Sequence, residues 1–203
     1  MATSEVNICN QALRLIGANR ITSLTENTTN SKDCAEFYSQ CRDAVLRAHN
    51  WSFATVYRTL AAVTVPDEYA GEYCFAFMYP SDCLQIQNVS ELGKNTSELY
   101  EVVNSATNEQ IILTNISAAV ASYTKRETDA TKFDPGFSES LVFLLASKLA
   151  LPVTQDMNKA TAMSQSYESA IQKARSADVK EQKTDQPYIN PWVKARWWGN
   201  AGY

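Results

Sequence analysis

The chain has 203 residues, of which 45% are hydrophobic and 10% aromatic. This is enough apolar material for one substantial core or two smaller ones, and it excludes a wholly disordered chain. Its 22 acidic and 18 basic residues give a formal charge of −4, whereas proteins that grip a nucleic-acid backbone are usually basic.

The cysteines predict a reducing compartment. Their number is odd, and none forms a CxxC pair; they are Cys9, Cys34, Cys41, Cys74 and Cys83. Cys34 and Cys41 lie seven residues apart on a predicted helix, about 10 Å along its axis, which is too far for a disulfide. We therefore expect buried thiols. The start MATSEVNICN lacks a signal-peptide pattern, and no apolar run reaches the ~20 residues of a membrane span, so we expect a cytoplasmic protein without a membrane partner.

Two amphipathic helices are predicted first, over residues 4–16 and 31–49. Ser4 can cap the first helix and Gly17 can end it in the left-handed conformation. Helical spacing gives each an apolar face, formed by Val6, Cys9, Leu13 and Ile16 in the first and by Cys34, Phe37, Cys41, Val45 and Ala48 in the second. A polar loop joins them, so we expect a helical hairpin.

The middle of the chain has the pattern of short strands. β-branched and aromatic residues are enriched in segments that turn-forming clusters separate, namely 54–65, 73–79, 83–89, 98–103, 110–114 and 118–125. This spacing predicts an antiparallel meander that forms a small sheet or barrel. The aromatic residues beside these strands are expected to pack in the core.

Helical periodicity returns with Asp134, a cap followed by proline at the first helical position. The third helix is expected to end at Pro152, with an apolar face of Phe137, Leu141, Leu144, Leu145 and Leu149. A fourth helix over 155–179 has a stripe of Ala160, Met163, Tyr167, Ala170, Ile171, Ala174 and Ala177.

The predicted fold class is α+β. Residues 1–50 and 130–180 form an antiparallel four-helix bundle, residues 51–129 an inserted small antiparallel β lobe, and residues 181–203 an extended C-terminal arm.

The C-terminal arm is expected to bind a partner. It ends in QPYINPWVKARWWGNAGY, whose prolines interrupt any helix and which holds three of the chain's four tryptophans. Tryptophan and arginine are typical of interface hot spots, so the predicted partner-binding residues are Tyr188, Trp192, Val193, Arg196, Trp197 and Trp198. Stacking on single-stranded nucleic acid is an alternative, although Lys194 and Arg196 are too few for much affinity. The other alternative is that the arm packs on its own helices.

An enzyme is not expected. The only histidine is His49, placed at a predicted helix end where it suits the helix dipole. The sequence contains no GxxxxGK, GxGxxG, HExxH or GxSxG motif. No catalytic, cofactor-binding or metal-binding residue is predicted, and no cofactor is expected. A hydrolase with two carboxylates is the alternative, but no pair stands out.

The sequence also resembles a known family over most of its length: tail tubular protein A of short-tailed bacteriophages and the related head-to-tail adaptors of prophages. The resemblance rests on five segments in a shared order, SEVNICNQALRLIGANRITSL, RDAVLRAHNWSFA, YCFAFMYPSDCLQIQNV, YTKRETDATKFDPGFSESLVFLLASKLA and PYINPWVKARWW. Each segment is weak alone, but their order and spacing are specific.

The resemblance implies a structural virion protein at the head-tail junction, assembled in the host cytoplasm. It implies a ring of twelve copies between the portal protein and the tail nozzle or tail tube protein. Such rings line the channel through which the genome passes without sequence-specific binding, and they provide a docking platform for tail proteins. Pro187–Trp198 would correspond to the segment that family members use near the portal. The alternative is a cytoplasmic protein-interaction module without a virion role.

Overall fold

The structure is a computed structural model that describes residues 4–93, 97–105 and 108–181. It is an α+β protein with four helices and two small antiparallel sheets in these residues. The helices are α1 (Glu5–Ile16), α2 (Thr29–Ala48), α3 (Pro135–Thr154) and α4 (Met157–Glu181). The strands are β1 (Thr55–Thr59), β2 (Ala62–Val63), β3 (Phe75–Met78), β4 (Cys83–Glu91), β5 (Tyr100–Asn104), β6 (Gln110–Thr114) and β7 (Ala119–Lys125).

The signals at both ends of α1 act as predicted. Ser4 caps the helix, because its side chain accepts a hydrogen bond from the backbone N–H of Asn7. Gly17 has φ 82°, the left-handed conformation that favours glycine, and its N–H donates to the carbonyl of Arg14. The predicted helix bounds are thereby confirmed to within one residue.

Helix α2 begins two residues before its predicted start, because Thr28 is the cap and accepts from the N–H of Ser31. Its predicted apolar face is confirmed in part. Phe37 and Ala48 are only half-buried, whereas Tyr38 and Leu46 are buried.

The predicted meander is wrong, because the strands divide between two sheets. One sheet has the order β1-β7-β4 and the other β2-β3-β6-β5. Only the β2–β3 and β5–β6 pairs join consecutive strands. The other pairs join strands that are distant in the chain, so local turn signals did not reveal them. The two sheets share a core that includes Phe77, Ile86, Val89, Ile112 and Tyr123.

Helix α3 begins as predicted and ends later. Asp134 caps it by accepting from the N–H groups of Gly136 and Phe137 at 2.7 and 3.2 Å. Pro152 does not close the helix, contrary to prediction. It lies in the last turn, and the helix continues to Thr154, where Gln155 ends it with φ 53°.

Helix α3 lies at the centre of the helical part. It packs against α1, α2 and α4, whereas α1 and α2 make few contacts with each other. By length and composition alone, α3 could cross a membrane. A core helix passes the same test, and the predicted core residues Phe137, Leu141, Leu145 and Leu149 are all fully buried here. Leu144 is half-buried.

Helix α4 follows α3 after a two-residue turn and packs along it. The two helices come very close at Gly136, where an added Cβ would lie 2.9 Å from the Cβ of Ala174. Of the predicted α4 stripe, Ala170, Ile171 and Ala174 are buried. Ala177 is exposed, contrary to prediction, because the inward position in the last turns belongs to Asp178.

Candidate functional site at the base of the C-terminal segment

The predicted partner-binding residues come later in the sequence than α4. Tyr188, Trp192, Val193, Arg196, Trp197 and Trp198 lie outside the described residues, as does the predicted arm beyond Glu181. Their role therefore stays a prediction. The structure describes the place from which this segment starts, the last turns of α4.

The last turns of α4 are fixed to the connection between α2 and β1 through a buried carboxylate. Asp178 is 6% exposed, and its Oδ1 accepts from the N–H of Ser52 at 3.1 Å and from the Ser52 hydroxyl at 2.7 Å. Its Oδ2 lies 2.8 Å from Nε2 of His49. Because a carboxylate only accepts, Nε2 of His49 carries the hydrogen. The origin of the C-terminal segment is thus held by charge-assisted hydrogen bonds.

Two further contacts stabilise the same junction. Arg175 donates from Nη2 to the carbonyl of Ala48, the last residue of α2. Trp51 is fully buried, and its indole N–H donates to the carbonyl of Val45 at 2.8 Å. Its ring packs edge-on against Phe137, with 5.3 Å between ring centroids. The junction therefore ties α2, α3 and α4 to the start of the β strands.

The arrangement is unsuited to nucleophilic catalysis, although it contains serine, histidine and aspartate. In a catalytic triad the serine donates to histidine, which in turn donates to aspartate. Here the Ser52 hydroxyl and the His49 ring both donate to Asp178, so Ser52 has no histidine base. The cluster positions backbone elements instead.

Metal ligation was not predicted. Across 4–93, 97–105 and 108–181, no group of three or more His, Cys, Asp or Glu side chains is placed to hold a metal ion.

The cysteines are free thiols in different surroundings. Cys9, Cys34 and Cys41 are buried as predicted, whereas Cys83 is half-buried and Cys74 is exposed. The expectation that all five are buried is therefore wrong for Cys74, which directly precedes β3 rather than lying within the sheet. Burial raises the pKa of Cys41 to about 11, and a hydrogen bond with Cys34 together with burial raises the pKa of Cys9. The raised pKa values make Cys9 and Cys41 poor nucleophiles.

Charge is unevenly distributed along the chain. Residues 62–114, from β2 to β6, contain one basic residue, Lys94, and eight acidic residues: Asp67, Glu68, Glu72, Asp82, Glu91, Glu98, Glu101 and Glu109. The excess of negative charge therefore lies in the β part of the protein.

Sequence reasoning missed Asp178, Ser52 and Arg175. A signal for Asp178 was present, since it continues the helical spacing of Ile171 and Ala174 at the next inward position. A carboxylate at such a position needs buried donors, but the sequence did not identify them.

No model of a known protein family matches the chain, and a search of curated proteins found no match either.

Proposed function

We propose that the chain is a structural subunit of a ring-shaped head-to-tail adaptor. It would sit between portal and tail in the virion, line the DNA channel and provide a docking platform for tail proteins, without enzymatic activity or cofactor. The observation that carries the proposal is the order of the five resembling segments, four of which coincide with elements of the fold. They cover α1, the α2–β1 junction, β3–β4 and β7–α3, and the fifth is Pro187–Trp198.

The finer architecture belongs to the same proposal. The helices would form an antiparallel four-helix bundle from residues 1–50 and 130–180, with residues 51–129 as an inserted β lobe and residues 181–203 as an extended arm. The packing of α3 against α1, α2 and α4 supports this arrangement.

The arm would dock on the portal or on a neighbouring subunit. Its three tryptophans and Arg196 are residue types that dominate interface energies. The buried Asp178 contacts support this role, because they fix the position from which the arm starts. The acidic residues of the β part would suit a channel past which DNA slides, since carboxylates repel the phosphate backbone.

Electron microscopy of the purified chain tests the proposal. Negatively stained samples of the full chain, alone and mixed with portal protein, should show rings of this chain with twelve-fold symmetry in at least one of the two samples. A cytoplasmic interaction module without a virion role would form no ring in either sample, and this result would overturn the proposal. A hydrolase with two catalytic carboxylates would release soluble products from peptidoglycan or sugar polymers, and we expect none, since no carboxylate pair stands out in the sequence.

A further inference from the structure

A groove runs between α1, α3 and α4 on the helical part. One cavity of about 430 Å³ is lined by α1 and α3, including Leu15, Ser138 and Val142. A second cavity of about 520 Å³ is lined by α3 and α4. The two cavities share Glu139 and Phe143 of α3 and are therefore neighbours; we call the two together the groove and these shared residues its floor.

The groove leaves apolar surface without a partner in the described part of the chain. Leu15 is 43% exposed on one wall, and Phe143 is half-buried on the floor. Apart from Glu139 and Lys148, helix α3 has no charged residue, which is typical of a helix that is covered on most of its sides. Helices α1, α2 and α4 do not cover the stripe that carries Phe143 completely.

The chain itself contains a segment of matching chemistry. Twenty-two residues, 182–203, follow Glu181, the end of the helix that forms one wall of the groove. They include three tryptophans for the apolar side chains of Leu15, Val142 and Phe143, and Arg196 for the carboxylate of Glu139. Arg14 and Lys173 lie on opposite walls and suit the faces of tryptophan rings.

We propose that the groove is the receptor for residues 187–198 of a neighbouring copy of this chain. The choice of a neighbouring copy as the source of the bound segment rests on the proposed ring function. A ring of identical subunits needs two different, complementary surfaces on each copy, and the segment and the groove supply them. Each copy would insert its tryptophans between α1 and α4 of the next copy.

Two complementary full-length variants test this contact. The groove variant carries Leu15→Lys and Glu139→Lys, both at exposed positions. The segment variant carries Trp192→Ala, Trp197→Ala and Trp198→Ala. Each alone should assemble at least about thirtyfold more weakly than the unaltered chain, since burial of one tryptophan is worth at least that factor. Mixed, they should form 1:1 pairs that grow no further, because only one intact segment and one intact groove remain.

The masses of the assemblies formed by each variant and by the mixture are measured under the condition in which the unaltered chain assembles, either alone or with portal protein. Leu151→Lys is the matched control, because Leu151 is exposed on α3 but does not line the groove. It should assemble normally, and all variants should keep the melting temperature of the unaltered chain.

Three results would contradict the proposed contact between the segment and the groove. Normal assembly of the groove variant would overturn the inference and leave the ring proposal standing. A mixture without 1:1 pairs, with a lowered melting temperature in the segment variant, would mean that the segment binds its own chain, and would also overturn it. If the unaltered chain assembled under no condition, the proposed function itself would fail, and the inference with it.

Discussion

Asp178 and His49 are 129 residues apart in the chain, yet the carboxylate Oδ2 lies 2.8 Å from the imidazole Nε2. The same carboxylate accepts two hydrogen bonds from Ser52. We expect Asp178→Asn to lower the free energy of unfolding by about 1.5–3 kcal/mol, the usual contribution of a hydrogen bond to a charged group. Urea unfolding at pH 7 measures this loss.

Glu168→Gln is the control for this substitution, since Glu168 is an exposed carboxylate on the same helix. It should change the unfolding free energy by less than about 0.5 kcal/mol. Equal stabilities for the two variants would mean that Asp178 does not hold α4 to the α2–β1 connection.

The packing of α1 against α3 predicts a contrast between two leucines of one helix. Leu13 is fully buried, whereas Leu15 is 43% exposed. Leu13→Ala should lower the free energy of unfolding by about 2–5 kcal/mol, because it removes buried methyl groups and leaves a cavity. Leu15→Ala should lower it by less than about 0.5 kcal/mol.

Deletion of residues 1–17 should unfold the C-terminal helices as well. Full helicity and cooperative melting after this deletion would refute the shared core.

Glu127 predicts a pH dependence of stability. Its carboxylate accepts from the N–H groups of Thr128 and Asp129 at 3.1 Å. Burial raises the pKa of Glu127, but the hydrogen bond from Asp129 and the charges of Lys125 and Lys132 outweigh this effect, so that the pKa is lowered on folding. A lowered pKa stabilises the fold above the ordinary carboxyl pKa of 4.5, and this stabilisation is lost as the pH falls through the folded value.

Glu127→Gln should therefore be less stable than the unaltered chain at pH 7, and the difference should shrink below about pH 4.5. Glu109→Gln, at an exposed position before β6, controls for the loss of one negative charge. Unfolding free energies at several pH values measure both. A difference that stayed constant from pH 7 to pH 3.5 would contradict the assignment.

The cysteines should react in an order that follows their exposure. Under native conditions iodoacetamide should modify Cys74 first and Cys83 more slowly, and Cys9, Cys34 and Cys41 only after unfolding. Mass spectrometry under non-reducing conditions should find no disulfide. Cys74→Ser should abolish the fast reaction and Cys83→Ser should leave it unchanged. A native Cys74–Cys83 bridge would contradict the reducing-compartment interpretation.

Helix ends could be predicted because their signals are local. Ser4 and Gly17 bound α1, and Asp134 with Pro135 starts α3, each through contacts within a few residues. Pro152 misled because it removes one i→i−4 hydrogen bond but does not prevent a later one, in which the N–H of Gln155 donates to the carbonyl of Leu151.

Long-range pairing could not be predicted from these signals. Strand β7 pairs with β1 and β4, which lie far from it in the chain, and the meander prediction assumed pairing between neighbours. Asp178 was missed for the same reason, because its donors His49 and Ser52 lie 129 and 126 residues before it in the sequence. The tryptophan segment was chosen on composition alone and stays a prediction.

The central claim is that this chain assembles through its C-terminal segment. The most direct test is the mass of the purified full chain, measured across a range of concentrations, alone and with portal protein. We predict that the mass grows toward that of a ring in at least one condition, and that the chain without residues 187–203 is a stable soluble monomer. Trp192→Ala should weaken the docking of the segment on the portal or on a neighbouring subunit about thirtyfold or more. Unchanged assembly of the truncated chain, or a full chain that stays monomeric in every condition, would contradict the account.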